Sequence, residues 1–157
     1  MIIPAAPTVA QTVKEQASSW AHVVEGEGAK LDAMKAATVA LACSGTVTTE
    51  LALAGVPIVV GYRLGAMTHA ILKRLIRTPY ITLFNIAAKD FVAPELVQDD
   101  CNGPALAREV ALRLDDPALR ERQAAAQSAA LQKMGRGGAD PSDVAADAVL
   151  KVLGARP

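Results

Sequence analysis

Short apolar runs recurring between helix-like stretches constrain this chain most. Met1-Ile2-Ile3, stopped by Pro4 and Pro7, reads as a strand end. Trp20–Val24, Thr38–Ala42, Val56–Val60 and Tyr80–Leu83 read as further strands of four or five residues. All are the right length for strands and too short for buried helices. Helical patterns lie between them. The first spans Val9–Ser18, with Thr8 as N-cap and Gln11 in capping-box position. The next are Ala29–Ala37, with Leu31 and Met34 on one face, and Val47–Ala54, with Gly55 at the C-cap. Met67–Ile76 is amphipathic, with Lys73, Arg74 and Arg77 near its negative end. From Pro104 onward the chain reads as helical over Ala105–Leu114, Pro117–Met134 and Ser142–Leu153, with a loop at Gly135–Pro141. Strands alternating with helices specify βαβ units and a parallel sheet. The expected class is therefore α/β, a Rossmann-like doubly wound parallel sheet with C-terminal helices.

The length of 157 residues suits one such domain. Hydrophobic residues make up 52% of the chain but aromatics only 3%, so the core must be built from Ala, Val, Leu and Ile. Sixteen basic residues balance sixteen acidic ones, which argues against a general nucleic-acid binder. Cys43 and Cys101 are too few for a disulfide framework and lack metal-ligand spacing. No apolar run reaches the roughly 18 residues of a membrane span. The N-terminus has no basic segment of the kind that opens a signal peptide.

Open parallel sheets bind ligands beyond the carboxyl ends of their strands, so three strand exits carry the candidate chemistry. After Ala42, Ser44-Gly45-Thr46 opens a helix. Free N–H groups there, backed by the helix dipole, suit a diphosphate, and Gly45 lets a ligand come close to the backbone. Glu50, further along that helix, could accept hydrogen bonds from both hydroxyls of a ribose. The same residues also describe a plain helix start with a solvated glutamate. After Val60, Gly61-Tyr62-Arg63 offers a cation for a phosphate, or simply a turn with an exposed arginine. After Leu83, Asn85 could read a base edge or a sugar hydroxyl. Glu95 and Gln98, three apart, would share one face if helical. His22 and His69 have no carboxylate partner in sequence, and Gly135-Arg136-Gly137-Gly138 sits between helices as a linker.

Taken together, Ala42–Glu50, Val56–Arg63, Leu75–Ile86 and Val92–Gln98 resemble the lipid-A-disaccharide synthase family in order, spacing and residue type. The resemblance extends from about Met1 to Leu153. It implies the carboxy-terminal, donor-binding half of a GT-B glycosyltransferase. On it, residues 1–157 form one UDP-sugar-binding domain lacking its own first strand and the N-terminal acceptor domain. Ser44, Gly45 and Thr46 would hold the diphosphate and Glu50 the ribose, with Arg63, Asn85, Glu95 and Gln98 lining the donor pocket. The chain departs from the family pattern at Phe84, Ala88 and Lys89. The implied reaction transfers a 2,3-diacylglucosamine unit from UDP to lipid X (2,3-diacylglucosamine 1-phosphate), releasing UDP. The resemblance implies no metal and no cofactor, and a general base in the N-terminal domain. It places the work in the cytoplasm, peripheral to the inner membrane, where Met67–Arg77 could meet anionic headgroups. A non-catalytic nucleotide-sugar-binding module and another GT-B enzyme, such as a UDP-GlcNAc 2-epimerase, are the alternatives.

Overall fold

The computed structural model describes residues 1–43, 45–65 and 78–154. Ser44 and the helix predicted over Met67–Ile76, including the surface-binding reading of its cationic end, lie outside the described residues. The elements run β1 (Ile2–Ala5), α1 (Ala10–Ala17), β2 (His22–Glu25), α2 (Glu27–Ala36), β3 (Ala40–Ala42) and α3 (Thr46–Leu53). They continue with β4 (Ile58–Tyr62), α4 (Leu83–Ala88), β5 (Glu95–Val97), α5 (Gly103–Asp115), α6 (Pro117–Lys133) and α7 (Pro141–Gly154). All strand pairings are parallel: β1 with β2, and β3 with β4 with β5.

Strand β4 is the centre of the structure, because Ile58, Val59 and Val60 have no exposed surface. Successive side chains of a strand point to opposite faces. On one face Ile58 and Val60 join Met34, Leu51, Phe84, Ala130 and Leu131 in the core. On the other, α5 lies so close that a Cβ at Gly61 would stand 3.1 Å from Leu106 and 3.2 Å from the Cys101 sulfur. Gly61 thus admits a helix rather than a ligand. Covering a parallel strand on both faces explains why Val56–Val60 is continuously apolar instead of alternating. The doubly wound expectation is met, with helices on both sides of the sheet.

The long C-terminal helices follow from their caps. Asn102 accepts the Ala105 N–H ahead of α5, and Asp116 accepts the Leu119 N–H ahead of α6. Each is helped by a proline in the first turn. The expected Thr8–Gln11 capping box does not form. Val9 occupies the N-cap of α1 without a side-chain cap, and Gln11 donates to Glu15 instead. Gly55, at φ +76°, ends α3 as expected. Helix α7 exposes every described residue, including Val149, Leu150 and Val152.

Two expectations fail in the same region. Tyr80–Leu83 is not a strand: Thr82 is the extended N-cap of α4, and Leu83 is already helical. The Ile81 and Thr82 N–H groups donate to the Glu95 carboxylate, not to a neighbouring strand. Glu95 in turn is not helical. It lies in β5, which pairs with β4 through the Val60 N–H and the Pro94 carbonyl. Gln98 follows directly, at φ +53°.

Helix α6 fastens itself to β4 through buried amides. Gln127 Nε2 donates to the Val56 carbonyl at 2.9 Å, and Gln123 Nε2 donates to the Ile58 carbonyl at 2.8 Å. The two carbonyls lie on the β5 side of the chain, ahead of the point where β5 begins to pair. The glutamines therefore replace a ladder that is not there. Gln123 also donates to Gln127 Oε1 and accepts from Arg113 Nε, which ties α5 into the chain of bonds. Replacing Gln127 with Leu keeps its bulk but orphans the Val56 carbonyl. We expect a loss of about 1–3 kcal/mol in unfolding free energy, measured by urea denaturation.

Candidate functional site

The carboxyl end of β3 leads into a cleft of about 530 Å³ between the start of α3 and the start of α4. Gly45, Thr46, Thr49 and Glu50 form one wall, and Ile81 and Thr82 the other. The α3 wall has the features of an anion site. Gly45 is the N-cap and no side chain among the described residues caps the helix. Its first turn holds no acidic residue, so the positive end of the dipole is not already neutralised. The Gly45 carbonyl is turned inward, accepting from both the Thr48 N–H and the Thr48 hydroxyl. The N–H groups of Thr46 and Val47 have no acceptor within a helix of this geometry. A Cβ at Gly45 would meet no atom within 4 Å. The Thr49 hydroxyl is buried without a hydrogen-bond partner among the described residues.

Glu50 lines the cleft one turn further along. It accepts a hydrogen bond from Lys30 Nζ on α2 at 3.0 Å, and Lys30 also pairs with Glu27. Hydrogen bonds that Lys30 donates to Glu27 first, then to Glu50, hold its ammonium above its usual pKa. Lys30 thus fixes the Glu50 carboxylate, one oxygen of which is engaged in this bond. Sequence reasoning missed Lys30, because a residue twenty positions away on another helix leaves no local signal.

The other residues singled out from sequence separate into two groups. Arg63 is exposed beyond the end of β4 and does not line the cleft. Asn85, Glu95 and Gln98 brace the loops. Asn85 is fully buried inside α4, where its amide both donates to and accepts from the Ala93 backbone. The expected position directly after a strand is replaced by this helical one, and its amide faces protein. Glu95 accepts the Ile81 N–H, the Thr82 N–H and the Thr82 hydroxyl at 2.6–2.8 Å, holding the second wall of the cleft. Gln98 accepts the Leu64 N–H and donates to the Leu64 carbonyl, fixing the segment next to Arg63. Glu95 and Gln98 are neighbours along the end of a strand, not partners on a helix face. Ser44 lies outside the described residues.

A parallel sheet with helices on both faces and an open helix start at its carboxyl edge defines a Rossmann-like α/β domain. The chain belongs to the lipid-A-disaccharide synthetase family, whose model matches residues 2–149. It is 42% identical over 156 residues to a lipid-A-disaccharide synthase of Rhodospirillum centenum, covering 98% of this chain and 39% of that protein. It is 37% identical to the one of Gluconobacter oxydans, over 97% of this chain and 37% of the relative. With the one of Geobacter sulfurreducens it shares 42% identity over 78% of this chain and 32% of the relative. The chain thus spans about two-fifths or less of the length of these curated relatives.

Two outcomes are expected from this geometry. Glu95→Ala removes three bonds to one charged acceptor and should lower the unfolding free energy by about 1.5–3 kcal/mol, with hydrogen exchange accelerating first at Ile81 and Thr82. The raised pKa of Lys30 gives a contribution that is complete below the lysine range and is lost as pH rises through the folded value. The stability difference between the native chain and Lys30→Met should therefore hold at neutral pH and shrink under alkaline conditions, as followed by denaturation at a series of pH values.

Proposed function

We propose that this chain supplies the UDP-sugar site of a glycosyltransferase of lipid A biosynthesis. The proposed reaction moves a 2,3-diacylglucosamine unit from UDP to lipid X. The observation that carries the reading is the cleft at the α3 start, lined by Gly45, Thr46, Thr49 and Glu50, where no side chain among the described residues caps the helix. The diphosphate would lie against Gly45 and the Thr46 and Val47 N–H groups, with Ser44 supplying a further hydroxyl. Charge that develops on the leaving UDP would then meet preorganised donors and the helix dipole. Glu50, held by Lys30, would accept from the ribose hydroxyls through its second oxygen. Arg63 lies at the neighbouring strand exit and would meet the diphosphate from that side. Asn85, Glu95 and Gln98 would act on the donor through the loops they hold.

Displacement at the sugar carbon needs an acceptor hydroxyl and a base to take its proton. We assign both to the portion of the longer relatives outside the matched stretch. Action at the cytoplasmic face of the inner membrane is part of this proposal.

Calorimetric titration of the 157-residue chain with UDP, and with AMP as control, tests the reading. Selective heat with UDP, weakened by about 1–3 kcal/mol in Glu50→Ala through the lost ribose hydrogen bonds, is the expected result. Equal affinity of the native chain and the variant would remove Glu50 from the site. Equal affinity for UDP and AMP would remove the uridine-specific reading.

A further inference from the structure

Among the described residues, Thr49 carries the one buried side-chain oxygen or nitrogen without a hydrogen-bond partner. An orphaned group of this kind costs folding free energy and calls for a reason. A threonine inside a helix usually bonds back to the carbonyl four residues earlier. For Thr49 that is the Gly45 carbonyl, which already accepts from the Thr48 N–H and the Thr48 hydroxyl. The neighbouring threonine has taken the usual partner.

The orphaned side chain stands at the cleft. Thr46, Thr49, Glu50 and Leu53 all line it, and their spacing of i, i+3, i+4 and i+7 puts them on one face of α3. Thr49 and Glu50 flank the middle of that face. Adjacent residues of a helix diverge, so these two reach a ligand from different directions. The other threonines along the cleft have other tasks. The Thr48 hydroxyl donates to Gly45 and the Thr82 hydroxyl to Glu95, while Thr46 opens the helix.

Glu50 supplies the reason for a second polar group. Its Oε2 accepts from Lys30 Nζ at 3.0 Å, which leaves one oxygen open. A ribose presents two adjacent hydroxyls, and a single oxygen meets only one of them at a good angle. The other hydroxyl needs a partner beside the carboxylate. We propose that Thr49 is that partner, and that Thr49 and Glu50 together make the site specific for a nucleotide with an intact ribose diol. This inference rests on the nucleotide reading and adds a specificity residue to it. Thr49 is half-buried while its oxygen is shielded, so the part of the residue that meets the cleft is not the oxygen. A helical threonine has two accessible χ1 rotamers. Exchange between them turns the hydroxyl to the ligand without moving the backbone. No protein hydrogen bond has to break for the new one to form.

The test is calorimetric titration of the 157-residue chain, as the native sequence, Thr49→Val and Thr49→Ser, with UDP, 2′-deoxy-UDP and 3′-deoxy-UDP. The native chain should bind UDP about fivefold tighter than either deoxy analogue, the net contribution of one hydrogen bond. Thr49→Val keeps the shape and removes the hydroxyl, and should weaken UDP by about the same factor. It should leave unchanged the affinity for whichever analogue lacks the hydroxyl that Thr49 engages. Thr49→Ser should restore the native pattern. Without ligand, Thr49→Val should unfold at the same or a higher urea concentration, because the oxygen it loses had no partner. The inference is overturned if Thr49→Val binds UDP as the native chain does, if it weakens all three ligands equally, or if it loses stability and affinity in step. In each of these results the native chain still binds UDP, so the nucleotide reading stands. A native chain that binds no UDP overturns both.

Discussion

Every backbone N–H and C=O removed from water must find a partner, and that demand organises this molecule. The sheet strands are short, three to five residues each, so ladders cover only part of the buried backbone. Side-chain amides and a carboxylate satisfy the remainder. Gln127 and Gln123 take the carbonyls that β5 does not reach. Asn85 takes both groups of Ala93. Glu95 takes two N–H groups ahead of α4. Each of these polar residues would be costly to bury alone. Each is tolerated because its partner would be costly too.

The cleft is a by-product of the same economy of bonds. Its α3 wall offers helix-start donors because no side chain among the described residues caps the helix. Its opposite wall stands where it does because Glu95 gathers Ile81 and Thr82. The residues that touch the cleft and those that shape it are therefore different sets. Glu50 belongs to the first and Glu95 to the second, although both are carboxylates. Lys30 links the cleft to α2, and α2 also packs against β1 and β2. The position of the Glu50 carboxylate thus depends on an element from the other half of the sheet.

Local patterns in the sequence made much of this legible. The four strands β1 to β4 followed from short apolar runs, although β1 continues through Pro4 to Ala5 instead of stopping at the proline. The helical runs read from Pro104 onward located α5, α6 and α7, and the family resemblance rested on contiguous motifs. What stayed hidden was non-local. Tyr80–Leu83 has strong strand propensity, yet a glutamate thirteen residues on claimed its N–H groups. Glu95–Val97 is too short for any periodicity and becomes a strand only because β4 offers it a partner. Gln123 and Gln127 looked like ordinary polar positions on a long helix. Nothing in their own neighbourhood revealed two orphaned carbonyls some seventy residues earlier in the chain. Thr49 and Lys30 were likewise invisible as site residues, since each acquires its role from the approach of another element.

The division of the sheet also bears on how the chain assembles. Strands β1 and β2 are joined by α1 alone, and β3 and β4 by α3 alone. Each pair can therefore close from fewer than thirty contiguous residues, with little loop entropy lost before pairing begins. Chains rich in such sequence-local contacts tend to fold quickly. The two halves are then two kinetically self-sufficient nuclei, the first able to form before the second has left the ribosome, with Met34 on α2 carrying the first half into the core of the second.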